Sequence, residues 1–482
     1  MNNPKPGLFY IDAITLVNQE GESIDLRNIM MNFSLFESVY ESFCTAQLNI
    51  IDGIDLKKHF KLTGQEHVRV AIRMNEGDGK TTNEQDSIDK VFRIYKISNV
   101  NRKGITDGYT IHLIDPRAFF CLKKRISQVF RGSYNTILQN ILVKHAHISM
   151  TEFDYFEKTS PDNIQFISPN WNVKHLIDFC VENAEIENVE SYKSSMFFFQ
   201  TLNGGFRFMG IDEMFKREHP VTFNNNPRGD IDLSEVHPDS PTGANTHIKN
   251  FTISQDFDTL QGTGAGAYAS QLRVYNPIFK MEEEATYDLQ ETYGKGHMDN
   301  FPILRLAETD NDYFDDMMTT DNPTELEISP DVITIDSDLA PNKAIDSRIV
   351  YETKMVHPFD DRIVTEDEQF HGFNYDYTDG GILHRNSMRE IIQQHRMEVI
   401  IPLRTDLTVG TMVNLEISPA EETPSQHPYK SSRYLVLDMR IIGAPSQNQG
   451  EMILGVCKES FTKKIQDVDS LSDAEPARTV IW

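Results

Sequence analysis

The chain has 482 residues, of which 39% are hydrophobic and 25% charged, and a formal net charge of −27. Its length is enough for several domains, and its composition excludes a chain that is disordered throughout. A surface of this charge repels nucleic-acid phosphates and disfavours specific DNA or RNA binding, and no apolar run approaches the roughly 20 residues of a membrane helix.

Residues 1–125 are predicted to form the first domain, a mostly antiparallel β-barrel that is closed or nearly closed. Apolar runs and polar–apolar alternation predict its strands, at residues 8–17, 44–50, 68–74, 91–100 and 109–115. Asp52-Gly53 supplies turn chemistry, and the polar, glycine-containing segment 75–89 is predicted to be a loop.

Residues 126–215 show helical periods and are predicted to form a small α+β domain. Ser133 suits the N-cap of a first helix, whose apolar residues are Ile137, Leu138, Ile141 and Leu142. A second helix follows residues 168–170 and has an amphipathic stripe, formed by Val173, Leu176, Ile177, Cys180, Val181 and Ala184. Asn203-Gly204 then joins two apolar runs, which is a strong hairpin signal.

Residues 216–246 are rich in Pro, Asn, Asp, Gly and Ser, which predicts a linker. A second β-barrel domain is assigned to residues 247–280 and 385–461. Its predicted elements are strands at 247–256 and 270–275, a helix at 387–396, and strands at 397–403, 411–417, 434–442 and 451–456.

An acidic insertion interrupts the second barrel. Residues 281–384 hold 26 acidic and 6 basic side chains, a net charge of −20, so most of the charge imbalance lies there. We expect this segment to face outward and to contact a basic surface of a neighbouring protein. Residues 462–482 are predicted to be a C-terminal tail, whose last residues, Val480-Ile481-Trp482, form an apolar anchor on a polar tether.

Two stretches of the chain share one plan. In each, a strand leads through Leu62-Thr63-Gly64 or Leu407-Thr408-Val409-Gly410 into a second strand, a polar loop and two further strands. Identity between the copies is low, and many antiparallel barrels would give a similar string. The predicted fold class is α+β, mainly β: two similar antiparallel β-barrel, tube-forming domains, an α+β domain between them, and the acidic insertion in the second barrel.

Three segments carry a resemblance to a known family. They are FISPNWNVKHLIDF at 166–179, SQDFDTL at 254–260 and GAYASQLRVYNPIFK at 266–280. Together with the domain order over residues 1–280 and 385–461, they resemble the baseplate hub proteins of T4-like contractile-tail bacteriophages. That family is related to the N-terminal hub part of type VI secretion spike proteins.

The resemblance implies a structural subunit that acts through its interfaces. Hub subunits form homotrimers in which two similar barrels per chain make a ring, so that a threefold central spike meets a sixfold tail tube. The implied partners are the spike, a tail tube initiator protein and surrounding baseplate proteins, and the implied location is the virion tail baseplate. The N-terminus has no hydrophobic signal core, which agrees with assembly in the host cytoplasm and with no membrane insertion. DNA would pass through the channel without specific binding, along a wall that we expect to be mildly acidic.

No pattern of residues predicts an enzyme, a cofactor or a metal. The metalloprotease, P-loop and nucleophile-elbow motifs are absent. Gly262-Thr-Gly-Ala-Gly266 lacks the dinucleotide-binding spacing, so a flexible loop or close backbone packing is the better interpretation. Ser460-Phe-Thr-Lys463 fits a short penicillin-binding pattern without its partner motifs.

Candidate metal ligands are equally weak. Asp310, Asp312, Asp315 and Asp316 lack the sixth-position glycine of a calcium loop, and Asp321 takes the place of its final glutamate, so a solvated acidic face is favoured. His145 and His147 suit a helix end better than a metal pair. The four cysteines, Cys44, Cys121, Cys180 and Cys457, form no CxxC pair and predict neither a disulfide framework nor a zinc site.

Two alternatives stay open. The first is a tail-associated cell-wall hydrolase, which needs a cleft with one carboxyl group of raised pKa. No carboxylate pair can be singled out for it in so acidic a chain. The second is a hub protein of a bacterial contractile injection system. Hub and spike are usually fused there, and the end of this chain about 20 residues after its last predicted strand favours the separate hub of a phage.

Overall fold

The structure is a computed structural model, which describes residues 7–74, 87–104, 106–160, 164–186, 195–225, 246–255, 258–276, 280–289, 301–302, 348–353, 375–417, 430–446 and 449–461. Its main feature is one 13-stranded sheet, to which both ends of the chain contribute. Within these ranges, no helix is long and apolar enough to cross a bilayer.

The N-terminal part of the sheet contains the strands predicted for the first domain and two that were not predicted, β2 and β3. Its elements are β1 (Phe9–Val17), β2 (Ser23–Asp25), β3 (Met30–Ser38), β4 (Thr45–Asp52), α1 (Leu56–His59), β5 (His67–Met74), β6 (Ile88–Lys103) and β7 (Thr106–Ile114). These strands pair in the order β3–β4–β7–β6–β5–β1–β2, and every pair is antiparallel.

The segment predicted to form the α+β domain follows. Its elements are α2 (Arg117–Lys123), β8 (Arg125–Ile126), β9 (Val129–Gly132), α3 (Tyr134–His145), β10 (Phe153–Phe156), β11 (Thr159–Ser160), β12 (Ile164–Ile167), β13 (Trp171–Asn172), α4 (Val173–Asn183), β14 (Glu185–Ile186), β15 (Met196–Gln200), β16 (Phe206–Gly210) and α5 (Ile211–Lys216). Both predicted helices are confirmed, and their apolar faces pack into one core. The hairpin around Asn203-Gly204 is confirmed as the antiparallel pair β15–β16.

The rest of the chain completes the large sheet and adds a small one. Its elements are β17 (Glu218–Asn225), β18 (Asn250–Gln255), α6 (Thr259–Ala265), β19 (Ala269–Asn276), β20 (Met281–Asp288), β21 (Phe301–Pro302), β22 (Ile349–Thr353), α7 (Tyr375–Ile391), β23 (His395–Pro402), β24 (Met412–Ile417), β25 (Ser432–Ala444), β26 (Gln449–Lys458) and β27 (Ser460–Phe461). In the large sheet the pairing order is β18–β23–β26–β25, and β25 also pairs with β24, which in turn pairs with β17.

The two halves of the large sheet follow the same strand path. The path β3–β4–β7–β6–β5–β1 corresponds to β18–β23–β26–β25–β24–β17. All pairs are antiparallel in both halves except the last, because β17 runs parallel to β24 whereas β1 runs antiparallel to β5. The strand order therefore confirms the internal repeat and extends it by one strand at each end.

The predicted closed barrels are not observed. Among the described residues the pairing runs as an open path from β18 to β2, and β3 of the first half pairs directly with β25 of the second. A single hydrophobic core takes residues from both halves, among them Phe33, Leu48, Val399 and Leu454. The two halves are thus one continuous unit.

Three predicted boundaries are corrected by the structure. The predicted linker 216–246 contains β17, while residues 226–245 lie outside the described part. Strand β19, assigned to the second barrel, instead forms a separate three-stranded sheet with β20 and β22 of the acidic segment. The helix predicted at 387–396 begins at Tyr375 and ends at Ile391. The acidic segment is therefore partly built into a small sheet packed against α7.

Candidate assembly edges

The joint between the two halves is an antiparallel pair of strands from distant parts of the chain. Residues Asp438 to Gly443 of β25 pair with Ser38 to Phe33 of β3. The contact continues past the end of β3, where the backbone N–H of Val39 donates to the Leu437 carbonyl at 3.0 Å. Through this joint, the strands of the first half and those of the second half form one continuous sheet.

Side chains reinforce the joint with charged and polar contacts. The Ser38 hydroxyl donates to the Asp438 carboxylate at 2.5 Å, and Arg396 donates to the same carboxylate at 2.6 Å. Arg440 donates to the Ser34 hydroxyl at 3.3 Å and lies over the Phe36 ring. These pairs fix the register, since a slip by one residue would move every side chain to the opposite face.

Gly443 is required at one end of the joint. A Cβ atom at this position would overlap the tip of the Phe33 ring and lie 2.9 Å from the ring of Phe9. Phe9 and Phe33 are themselves buried in an edge-to-face contact with ring centroids 5.6 Å apart. The glycine therefore admits an aromatic pair that packs both halves against the shared core.

The strands equivalent to this joint are left at free edges. Strand β18 occupies the position of β3 in the second half, and no described strand pairs with its outer edge. Strand β6 occupies the position of β25, and β5 covers one of its edges only as far as Arg93. From Tyr95 onward that edge of β6 has no partner within the described ranges.

Register and sequence both support these equivalences. A bulge sets Tyr95 apart between Ile94 and Lys96 of β6, and a bulge sets Leu437 apart between Val436 and Asp438 of β25. The segment NFSL at 32–35 in β3 corresponds to NFTI at 250–253 in β18. This short match is the sequence signal that β18 is the counterpart of β3.

Glu37 of β3 joins three parts of the protein. Its side chain is 2% exposed, and one carboxylate oxygen accepts from the backbone N–H of Leu202 in the β15–β16 turn at 2.9 Å. The other oxygen accepts from the N–H of Val409 in the second half, also at 2.9 Å. Burial raises the pKa of Glu37 to about 7, although the two hydrogen bonds and the charges of Arg207 and Lys90 oppose that rise.

A buried ion cluster stabilises the turn between β23 and β24. Arg404 is 4% exposed and donates twice to Asp406, at 2.9 and 2.5 Å, while the Nε2 atom of His219 lies 3.4 Å from the same carboxylate. Burial opposes ionisation of Asp406, but the bonds from His219 and Arg404 outweigh it and hold the pKa well below its usual range. The cluster ties β17 to the second half of the sheet.

One face of the duplicated sheet packs on the core, and the other carries polar side chains among apolar ones such as Phe36, Ile442 and Ile453. On this face Asn49 donates to Asn32 at 2.6 Å, Thr110 donates to Asn49 at 2.7 Å, and the Ser98 hydroxyl is 2.6 Å from the His112 ring. The same face carries charges of both signs, on Lys96, Glu398, Asp438 and Arg440. This face therefore mixes polar and apolar side chains, and its charges are of both signs.

The residues that the sequence offers as candidates for catalysis or binding do not come together in one site among the described residues. Residues 259–265 form helix α6, so the predicted loop is wrong, but the predicted close packing at Gly262 is confirmed because a Cβ atom there would lie 2.7 Å from the Tyr268 hydroxyl. His145 is the last residue of α3, as predicted. Ser460 is buried, and Lys463 lies outside the described residues. The aspartates at 310–321 also lie outside them.

The described part of the chain contains neither a candidate metal site nor a reactive cysteine. No group of three or more potential metal ligands occurs there. All four cysteines are free and buried. Burial raises the pKa of each thiol, to about 12 for Cys121 and Cys180. These thiols are protonated and inaccessible at neutral pH.

Comparison with known proteins gives similar solved structures only. No family model and no curated protein matches the chain. A tail protein from Neisseria meningitidis shares 9% identity and a TM-score of 0.49, with 93% of this chain and 98% of that chain covered. The 43 kDa tail protein of prophage MuSo2 from Shewanella oneidensis shares 8% identity and a TM-score of 0.49, with coverages of 92% and 98%. An E. coli type VI secretion component, described as structurally similar to bacteriophage T4 tail proteins, shares 6% identity and a TM-score of 0.41, with coverages of 95% and 79%.

Proposed function

We propose that this chain is a structural baseplate hub subunit of a contractile phage tail. Three copies form a ring that adapts the threefold central spike to the sixfold tail tube and encloses the channel for DNA. The observation that carries the proposal is the duplicated strand path, joined within the chain by β3 and β25. A chain with two equivalent halves offers a trimer six equivalent units, which is what a threefold-to-sixfold adaptor needs.

The placement of the channel follows from the two faces of the duplicated sheet. One face is consumed by the shared core, so the other face is the one available to line a ring. A wall with hydroxyl and amide groups and with charges of both signs neither binds DNA phosphates tightly nor repels them strongly. We expect this wall to be at most mildly acidic, since most of the net negative charge lies in residues 281–384.

The remaining surfaces meet other proteins of the tail. The spike and the tail tube initiator contact the two rims of the ring, and the acidic segment faces outward toward surrounding baseplate proteins. We therefore propose a location in the virion, after assembly in the host cytoplasm, and a role without catalytic activity. The α+β domain packs on the sheet through Glu37 and supports the ring from outside its wall.

The mass of the purified chain tests this proposal. We expect assemblies of three copies of the 55.3 kDa chain, alone or after addition of the spike. A chain that stays monomeric under all assembly conditions would overturn the proposal. A chain that assembles but lyses peptidoglycan in a gel overlay would instead favour a hydrolase.

A further inference from the structure

We propose that β18 of one copy pairs antiparallel with the free edge of β6 in a second copy. The joint made within each chain by β3 and β25 is then repeated between chains. The number of copies in the ring rests on the proposed function, but the pairing does not. It follows from the equivalence of the two halves.

The acceptor edges are equivalent in detail. In each half the long strand first pairs with a short strand on one edge, β5 for β6 and β24 for β25, and then extends beyond it. The bulges at Tyr95 and Leu437 mark the same point on both strands. In β25 the extension beyond this point receives β3, whereas in β6 the described strands leave it open.

The donor strands are equivalent as well. Asn32 to Leu35 pair with Asn49 to Ala46 of β4, and Asn250 to Ile253 pair with Ile400 to Met397 of β23. Strand β18 contains no charged residue. An uncharged strand with an unpaired edge is a template for pairing with another chain, unless the protein protects it.

Side chains along these strands are more exposed in the half where no described strand forms the joint. Leu437 and Ile441 are each 1% exposed in the joint within the chain, but the equivalent stretch of β6 exposes Tyr95 by 49% and Val100 by 53%. Phe33 is fully buried, whereas its equivalent Phe251 is only half-buried. The apolar surface that is covered once within the chain is thus still open at its second occurrence.

Transferring the register gives the expected pairs between chains. Within the chain, Arg440 lies opposite Phe36 and Ile442 lies opposite Ser34. At the equivalent positions between chains, Ser98 of β6 is expected opposite Gln255 of β18, and Asn101 opposite Thr252. Each of the two new strands has one extra residue between these pairs, next to Ser98 in β6 and at Ser254 in β18. The two irregularities face each other, so the register is kept on both sides of them.

The order of the strands around the ring is also determined. Strand β3 already pairs with β25 of its own chain, so its edge is not available to β6 of a second copy. Strand β25 is already occupied by β3 of its own chain. The edge of β6 is therefore left for β18, and each copy joins the next head to tail.

Cysteine pairing between chains tests the register directly. Asn101→Cys and Thr252→Cys are made as separate single variants of the full chain, both at exposed positions. The native cysteines are buried and give little background. On mild oxidation of the mixture we expect a reducible product with the mass of two chains, which neither variant gives alone. The matched control mixes Asn101→Cys with Asn250→Cys, two residues away, where diagonal Cα separations of about 7–8 Å disfavour a disulfide.

The outcomes separate this inference from the proposed function. Equal product from the control, product from either variant alone, or no product from chains that do assemble would overturn the pairing and leave the hub role standing. The double variant Asn101→Cys/Thr252→Cys should give a closed product of three chains. Closure at another number, or open polymers, would support the pairing but overturn the trimeric hub. A chain that stays monomeric at every concentration would overturn both.

Discussion

Replacing Glu37 by glutamine should change how the stability of the protein depends on pH. Burial raises the pKa of Glu37 to about 7 in the folded protein, from an ordinary value of 4.5. Between these two pH values the folded state keeps a proton that the unfolded state has lost. The wild-type free energy of unfolding therefore falls as pH rises through this window, and Glu37 contributes no slope below or above it.

The size of the effect follows from the two pKa values. The two pKa values differ by about 2.5, and at about 1.4 kcal/mol for each unit this gives about 3–4 kcal/mol over the whole window. Glutamine resembles the protonated carboxyl group, since it also turns a donor toward one of the two backbone N–H groups. That mismatch costs a constant amount at every pH, so the diagnostic quantity is the slope and not the offset.

Urea unfolding at a series of pH values between 5 and 8 measures this slope. The stability of Glu37→Gln relative to wild type should rise with pH by up to about 3 kcal/mol. Glu41→Gln changes an exposed carboxylate just after the same strand and is the matched control. A flat difference between Glu37→Gln and wild type would refute the buried, three-way role of Glu37.

The other predictions concern the joint, the buried ion cluster, the acidic segment and catalysis. Gly443→Ala should destabilise the protein by about 1–3 kcal/mol through overpacking against the aromatic pair, whereas Gly264→Ala, with nothing within 4 Å, should not; equal melting temperatures would contradict this. Asp406→Ala should cost about 3–5 kcal/mol because it leaves the buried Arg404 guanidinium without its carboxylate, and a smaller loss than for an exposed pair such as Arg69–Asp89 would argue against the cluster. Deleting residues 303–347, which spares β20 and β22, should leave the trimer mass unchanged and weaken attachment to surrounding baseplate proteins; loss of the trimer would place the segment in the ring instead. Zymography of the purified chain on peptidoglycan should show no lysis.

Much of the fold follows from local patterns in the sequence. Helices α3 and α4 were predictable because their apolar residues recur at helical spacing and bury one face. Strands β4 to β7 and the hairpin at Asn203-Gly204 were predictable from alternation and turn chemistry. In each case the signal lies within about a dozen consecutive residues.

The features missed from the sequence depend on distant partners. Strand β3 breaks polar–apolar alternation at Phe36 and Glu37. Glu37 occupies a buried core position, which is tolerable only since the backbone N–H groups of Leu202 and Val409 donate to its carboxylate. Strand β17 contains Pro220, which suits an edge strand but predicts a linker when its partner β24 is unknown.

Two further errors have the same origin. Helix α7 includes Asp379-Gly380-Gly381, a poor helical sequence. Strand β19 was correctly predicted as a strand, but nothing local indicates that it pairs with β20 and β22 rather than with the large sheet. The candidate assembly edges were missed for this reason too, because an edge is defined by which strands pair and not by its own residues.

In the proposed assembly, two equivalent halves per chain build a closed ring of three chains. Averaged electron micrographs of the assembled protein, viewed along the ring axis, test it most directly. We expect closed rings with threefold symmetry and an inner wall of six similar units. Monomers only, or rings whose inner wall does not repeat twice per chain, would contradict it.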